Sequence, residues 1–327
     1  MYLVTKRDKV DHKLWLEKLE RSEVPHTMKW ILKMPRQVKV LYTMSRLEGY
    51  SGFKHFLISS PSEYVAHVEI NRPSKLNAFT EEMWIELGKI FTKLSYDSEV
   101  RAVVFSAAGD RAFTAGLDVQ AASEGGLVGS GDEKIDAARQ ATKHRHQILE
   151  FQECIGQIEK CEKPVILVLH GISIGLAIDI ACCADIRVCS KDTKFAVKEV
   201  DIGMAADIGT LSRLPKIVSS FSWVKDVCLT ARGFGADEAL AVGFVSQVLE
   251  TKAKAVEAAV KLATFIASKS PVAVQGTKEL LNHARDNTVA DSLKYTSIWN
   301  QAMLQTDDFK SALLSGLKKT KPRFEKL

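Results

Sequence analysis

Three carboxylates sit in apolar company within Gly171–Thr210, GISIGLAIDIACCADIRVCSKDTKFAVKEVDIGMAADIGT. Asp179 lies between Ile178 and Ile180, Glu199 in AVKEVDIG and Asp207 in MAADIGT. Acids are seldom fully buried without a partner or a task. In an apolar pocket the ionised form is disfavoured, so the pKa climbs toward the range where a carboxyl moves protons near neutral pH. Each acid also has a plain structural alternative. Asp179 can be a hydrogen-bond acceptor, Asp207 the cap of a helix starting at IGTLSRL, and Glu199 an ion-pair partner of Lys198 or Arg187.

The elements around these acids set what they can do. PVILVLHG (Pro164–Gly171) reads as a strand, followed by a small-residue turn and a helix beginning near Gly175. The first amides of a helix have no intrahelical partner and carry the positive end of its dipole. They suit an anion, including one that exists only in a transition state. ADIRVCS is a further short strand, leading to the segment with Glu199 and Asp207. A helix N-terminus facing two or three acids fits enolate chemistry: amides hold the oxyanion and carboxylates move protons.

The 327 residues, 46% of them hydrophobic, suffice for one large domain with appendages or for two domains. A net charge of +5 is too weak to argue for nucleic acid. No apolar run is long enough to cross a bilayer. The six cysteines, Cys154, Cys161, Cys182, Cys183, Cys189 and Cys228, show neither a CxxC pair nor zinc spacing and read as buried free thiols. No metal is expected.

Residues 1–52 are read as an N-terminal extension of unknown role, with DHKLWLEKLERSE a short amphipathic helix. No apolar core of a secretory signal is present, and the acidic residues make a poor mitochondrial presequence. Met44 opens MSRLEGYSGFKHF like a start of its own. From Phe53 the pattern becomes globular. YVAHVEI is a half-buried strand and NRPSKLNAF a loop. In TEEMWIELGKIFTKLSYD, Trp84, Leu87, Phe91 and Leu94 recur at helical spacing after Thr80, a plausible cap. RAVVFSAAG is a strand, RAFTAGLDV a loop, and Ala121–Gln147 a Gly-rich, then charged excursion into the helix ILEFQECIGQIEKCEKP. GGLVGSG lacks the spacing of a phosphate loop. Strand–strand–helix thus recurs, which predicts an α/β body of stacked turns over 53–265. A helical C-terminal region fills 266–327, its broad apolar faces suited to packing on the core or another subunit. Asp118 reads as structural, His170 as a core residue, His144 and His146 as solvated, and Arg232 as a surface ion pair or phosphate contact.

NRPSKLNAF, RAFTAGLD, KPVILVLHGISIGLAIDIACCADIR, FAVKEVDIG and TARGFGADEALAVGFV, in that order, resemble the crotonase (enoyl-CoA hydratase/isomerase) superfamily from about Phe53 to Phe324. The trio Asp179, Glu199 and Asp207 most resembles its delta(3,5)-delta(2,4)-dienoyl-CoA isomerases. The resemblance implies a spiral of ββα turns, a trimerising helical C-terminus, and an acyl-CoA substrate with no separate cofactor. It implies oxyanion amides at Leu117, after Ala115-Gly116, and at Leu176 or Gly175, with Lys75, Leu76 and Ala78 flanking CoA. Glu199 would serve C2 and Asp207 C6, or the reverse, with Asp179 a third buried acid. The chain departs from the common pattern at Gly175-Leu176-Ala177, where many members have three glycines. Other members hydrate 2-enoyl-CoA or isomerise 3-enoyl-CoA, and a non-catalytic acyl-CoA- or RNA-binding protein on this fold is the alternative from another class. A homotrimer or a hexamer is expected. Lys326-Leu327 resembles the peroxisomal S-K-L address, so the peroxisomal matrix is expected, with mitochondria the alternative.

Overall fold

A computed structural model of the chain describes residues 45–47, 49–124 and 135–327. The expectations for DHKLWLEKLERSE and GGLVGSG fall outside them. The body is built on two sheets. The larger runs β1 (Ser45–Arg46), β2 (Phe56–Ser62), β3 (Val65–Ile70), β4 (Ala102–Ala107), β6 (Val165–Leu169), β8 (Ile186–Ser190) and β11 (Gln247–Leu249). β1–β2 and β2–β3 are antiparallel, and every later pair is parallel. The smaller sheet orders β10 (Phe234–Gly235), β9 (Lys194–Ala196), β7 (Ile172–Ile174) and β5 (Ala112–Thr114).

The two sheets are filled alternately. β4 is followed by β5, β6 by β7 and β8 by β9, so each turn of chain lays one strand in each sheet. Helices then close the turns: α1 (Glu81–Ser95), α2 (Val119–Glu124), α3 (Ala137–Lys160) and α4 (Leu176–Cys183). This is the predicted stack of strand–strand–helix turns. β4 and β6 are buried at every position, as expected for parallel strands covered on both faces. The bend from β6 into β7 is made at Gly171, with φ +52°; a Cβ there would lie 2.3 Å from the Arg111 carbonyl oxygen. Only glycine fits that close crossing.

Trp84, Leu87, Phe91 and Leu94 are all buried, and Trp84 stacks on Phe151 of α3 with ring centroids 3.9 Å apart. Downstream come α5 (Thr210–Ile217), α6 (Phe221–Thr230), α7 (Ala236–Ala241) and α8 (Lys252–Ala267). α8 packs on β4, β6 and β8 through Ala255, Val256, Ala259, Ala263 and Ala267, small residues that let a helix lie close to a sheet. The chain ends in α9 (Pro271–Asp286), α10 (Val289–Met303) and α11 (Asp307–Lys318). Leu281, Val289, Leu293, Ile298, Leu313 and Leu317 on these helices are exposed. No described helix is long and apolar enough to cross a membrane. All six cysteines are free and five are buried.

The expected edge of the body at Phe53 needs one adjustment. β1 pairs with β2, and Tyr50 belongs to the core cluster, so the packed chain begins upstream of residue 53.

Candidate active site

The smaller sheet brings two glycine turns together. Gly116, after β5, has φ +94°, and Gly175, after β7, has φ +56°. A Cβ on Gly116 would lie 3.4 Å from the Ile174 oxygen and 3.8 Å from the Leu176 nitrogen. Both positions need glycine for their left-handed backbone. Leu176 and Ala177, the departures from a triple glycine, are buried inside α4 and need no such freedom.

Hydrogen bonding selects which amides stay available. Ala115 N–H donates to the Leu76 oxygen, Gly116 N–H to Thr114 Oγ1 and Asp118 N–H to the Phe79 oxygen. Phe79 N–H donates to the Gly116 oxygen, a parallel bridge that passes over the Leu117 N–H. In the second turn Gly175 N–H donates to the Ala196 oxygen. Leu176 is the first residue of α4, where no intrahelical acceptor exists. Of the two candidates, Gly175 therefore spends its amide on the sheet, and Leu176 presents one.

The acids converge beside these turns. Glu199 opens a short 3-10 turn, Glu199–Ile202, separated from β9 by two residues. Its Oε1 would lie 3.6 Å from a Cβ on Gly175, and its Oε2 is buried without a hydrogen-bond partner. Burial pushes its pKa above the usual glutamate value, and the Asp207 charge adds to the rise against bonds from its own backbone. Burial likewise raises Asp207, in the loop before α5. Asp179, on α4, is 2% exposed. Burial pushes it up to about 7 against the Thr210 hydrogen bonds, with Glu199 and Asp207 also raising it. Two turns that offer unspent amides thus stand beside a carboxyl with a bare oxygen, within a group of three acids whose pKa values burial raises.

The sequence profile of the Enoyl-CoA hydratase/isomerase family matches residues 61–326. A protein named delta(3,5)-delta(2,4)-dienoyl-CoA isomerase, mitochondrial, from Homo sapiens is 46% identical over 78% of this chain and 77% of its own length. One from Arabidopsis thaliana with the same activity in its name, peroxisomal, is 40% identical over 80% and 93%. A solved structure named enoyl-CoA hydratase/carnithine racemase, from Magnetospirillum magneticum, superposes with TM-score 0.72 at 26% identity, covering 87% of this chain and 97% of that one. The chain belongs to the enoyl-CoA hydratase/isomerase family.

In this family member the structural alternatives for the acids divide. Asp179 Oδ1 accepts from Thr210 N–H at 2.7 Å and Thr210 Oγ1 at 2.8 Å, so it is an acceptor as well as a buried acid. Asp207 is not a helix cap: the cap of α5 is Gly209, and Asp179 takes the Thr210 N–H that a cap would take. Glu199 pairs with neither proposed cation. Lys198 holds Asp201 and the Ala231 oxygen, and Arg187 holds the carbonyls of Phe244, Ala181 and Ala184.

The 72–79 loop is fixed more firmly than its sequence suggests. Leu76 and Asn77 have φ +52° and +55°, a costly conformation for residues with a side chain. Buried Asn77 holds the loop, donating to the Ala108 and Ala112 oxygens and accepting from Arg72 N–H. Arg72 binds the Ala78 oxygen and pairs with Asp118 at 2.7 Å, while Asp118 accepts from Ala121 N–H at the start of α2. Asp118 is structural, as expected. Lys75 is exposed, and Leu76, Ala78 and Ala115 are half-buried, so this rim is open to a ligand. Arg72 and Asn77 were legible only as loop formers, because Ala108, Ala112 and Asp118, which also hold them, lie far along the chain.

Arg232 pairs with Asp226 and Glu238 on the surface. His144 and His146 are exposed. His170 is fully buried, bonded through Nε2 to the Gly109 oxygen, but its Nδ1 has no partner.

Proposed function

We infer that this protein converts 3,5-dienoyl-CoA to 2,4-dienoyl-CoA in the oxidation of unsaturated fatty acids. The carrying observation is the meeting of Glu199, Asp207 and Asp179 with the turns at Gly116-Leu117 and Gly175-Leu176. The C2 proton of the substrate is acidified by the thioester and the adjacent double bond. Glu199 takes it, and the electron pair left at C2 spreads onto the adjacent thioester oxygen and, through the diene, out to C6. The Leu117 and Leu176 amides receive that oxygen; losing one such donor costs on the order of 2.7–4 kcal/mol of barrier. Protonated Asp207 delivers a proton to C6, which moves both double bonds toward the thioester. Proton exchange with water then resets the two carboxyls. One acid must start ionised and the other protonated, a split that neighbouring carboxyls favour. Asp179 is a third buried acid beside this pair, its ionised form disfavoured by burial and by Glu199 and Asp207, and it fixes the start of α5 through Thr210. Lys75, Leu76, Ala78, Ala115 and Gly116 form the rim for the CoA portion. The scheme uses carboxyls and backbone amides, and CoA enters as part of the substrate.

An ultraviolet assay pairing 3,5-dienoyl-CoA with 2-enoyl-CoA tests this. Isomerisation brings the diene into conjugation with the thioester and absorbance grows. Loss of 2-enoyl absorbance as the faster reaction would make the protein a hydratase instead.

Relatives carry both mitochondrial and peroxisomal in their names. Of the two, Lys326-Leu327 supports the peroxisomal matrix. A fluorescent protein bearing residues 316–327 should then collect in peroxisomes, and a diffuse signal would count against it.

A further inference from the structure

A polar hollow adjoins the acid loop, lined by Gln152, Glu159, Asp207, Gly209, Arg213 and Arg285 among others. Glu159 of α3 receives two arginines there. Arg213 of α5 approaches one carboxylate oxygen with Nε and Nη2, both at 3.0 Å, and Arg285 of α9 takes the other. Arg285 also binds Asp286, which holds Lys216 of α5. The Arg213, Glu159 and Arg285 side chains are 20%, 16% and 23% exposed, so these are held groups, not loose surface pairs. The two arginines keep Glu159 ionised against its burial.

The Arg213 guanidinium fills the space of a missing side chain. A Cβ on Gly209 would lie 2.2 Å from Arg213 Nη1 and 4.0 Å from Asp179 Oδ1. The φ of Gly209 is 161°, an extended value open to any residue, so its demand for glycine comes from this contact alone. On α3, a Cβ on Gly156 would lie 3.8 Å from Arg213 Nη2. One helical turn earlier, Gln152 Nε2 donates to the Asp207 carbonyl oxygen at 2.5 Å. Gln152, Gly156 and Glu159 fall at i, i+4 and i+7, one face of α3. That face meets the loop carrying Asp207 and the helix held by Asp179.

We propose that Gln152 and Arg213 are positioning residues for the C6 proton donor, with Glu159 as their fixed support and Arg285 as the tie to the C-terminal helices. The inference rests on the reading that Asp207 serves C6. Gln152 sets the Asp207 backbone, and Arg213 closes the space into which the Gly209 segment would otherwise sag. None of these groups touches the substrate. Misplacing a reacting group by about 1 Å can cost on the order of 100-fold in rate.

The test uses the full chain with two gentle substitutions. Gln152→Met removes one donor and keeps length, and Gly209→Ala presses a methyl on Arg213 without removing a charge. Each is measured for kcat and KM with 3,5-dienoyl-CoA, exchange of the C2 proton with heavy water, and thermal midpoint, beside Asp207→Asn. Both should lose roughly 10- to 100-fold in kcat, with KM and C2 exchange within a few-fold of the parent. A merely structural loss would lower exchange and isomerisation together and would overturn the proposal, as would a parental kcat in both variants. If Asp207→Asn collapses while these two do not, the brace fails and the reading of Asp207 stands. If Asp207→Asn itself turns over normally, both fall.

Discussion

The Asp179 carboxyl accepts two bonds from Thr210, yet its pKa is pushed up to about 7 because it is buried beside Glu199 and Asp207. An unfolded aspartate titrates near 3.9. The native state therefore holds the Asp179 proton more tightly than the unfolded chain. The stability this contributes is full below the unfolded value and is lost as pH rises through the folded one. About three units correspond to an upper figure of about 4 kcal/mol. Asp179→Asn keeps an oxygen for Thr210 and cannot ionise, so its thermal midpoint should exceed the parent's at pH 8, the gain shrinking toward pH 4. An equal midpoint at both values would contradict the buried-acid reading. His67 and His170 act in the opposite sense. Burial lowers them to about 4 and about 3, so the neutral forms they keep in the fold favour it above the unfolded value of about 6.5. That contribution is lost as pH falls toward 4, and His67→Gln should flatten the acid side of a urea-midpoint profile. The three acids were legible in the sequence because each interrupts an apolar run. That Asp179, not Asp207, serves the start of α5 was not, since the Asp179–Thr210 contact joins two helices.

At the scale of elements, the site depends on the three-residue strands of the smaller sheet. β5, β7 and β9 set Gly116, Gly175 and Glu199 side by side. AFT, ISI and KFA are too short to show alternation, so the sequence revealed the long strands and helices but only an outline of this sheet. Strand–strand–helix recurrence was readable because the flanking apolar runs are long. The 72–79 loop is held mainly by Asn77, whose side chain makes three hydrogen bonds and is buried. At about 0.5–1.5 kcal/mol each, Asn77→Ala should destabilise the protein by roughly 2–4 kcal/mol. Because the proposed CoA rim includes Leu76 and Ala78 of this loop, KM for acyl-CoA should rise as well. An unchanged urea midpoint would show that backbone bonds alone suffice. Gly116→Ala tests the proposed oxyanion turn: alanine at φ +94° is strained, so kcat should fall more than KM changes.

For the whole molecule, the C-terminal helices leave Leu281, Val289, Leu293, Ile298, Leu313 and Leu317 in water. So much apolar helix surface is rarely left uncovered. We propose a closed symmetric assembly, a homotrimer or a pair of trimers, that covers these faces. Light scattering at micromolar concentration should give at least three times the 36.2 kDa of one chain. A stable monomer would remove the proposal. The sequence showed these faces as broad apolar stripes on helices. It could not show which stripes the body itself covers, because the sheet contacts of α8 depend on strands far away in the chain.

The most direct test of the account separates the two proton transfers. In Asp207→Asn the side chain keeps its shape but cannot titrate. General acid–base groups contribute typically 10²–10⁴-fold, so kcat for 3,5-dienoyl-CoA should fall by about that factor. Exchange of the C2 proton with heavy water should persist, because removal and return at C2 use Glu199 alone. In Glu199→Gln both should be lost. Isomerisation by Asp207→Asn within a few-fold of the parent, or loss of C2 exchange in that variant, would contradict the assignment of Glu199 to C2 and Asp207 to C6.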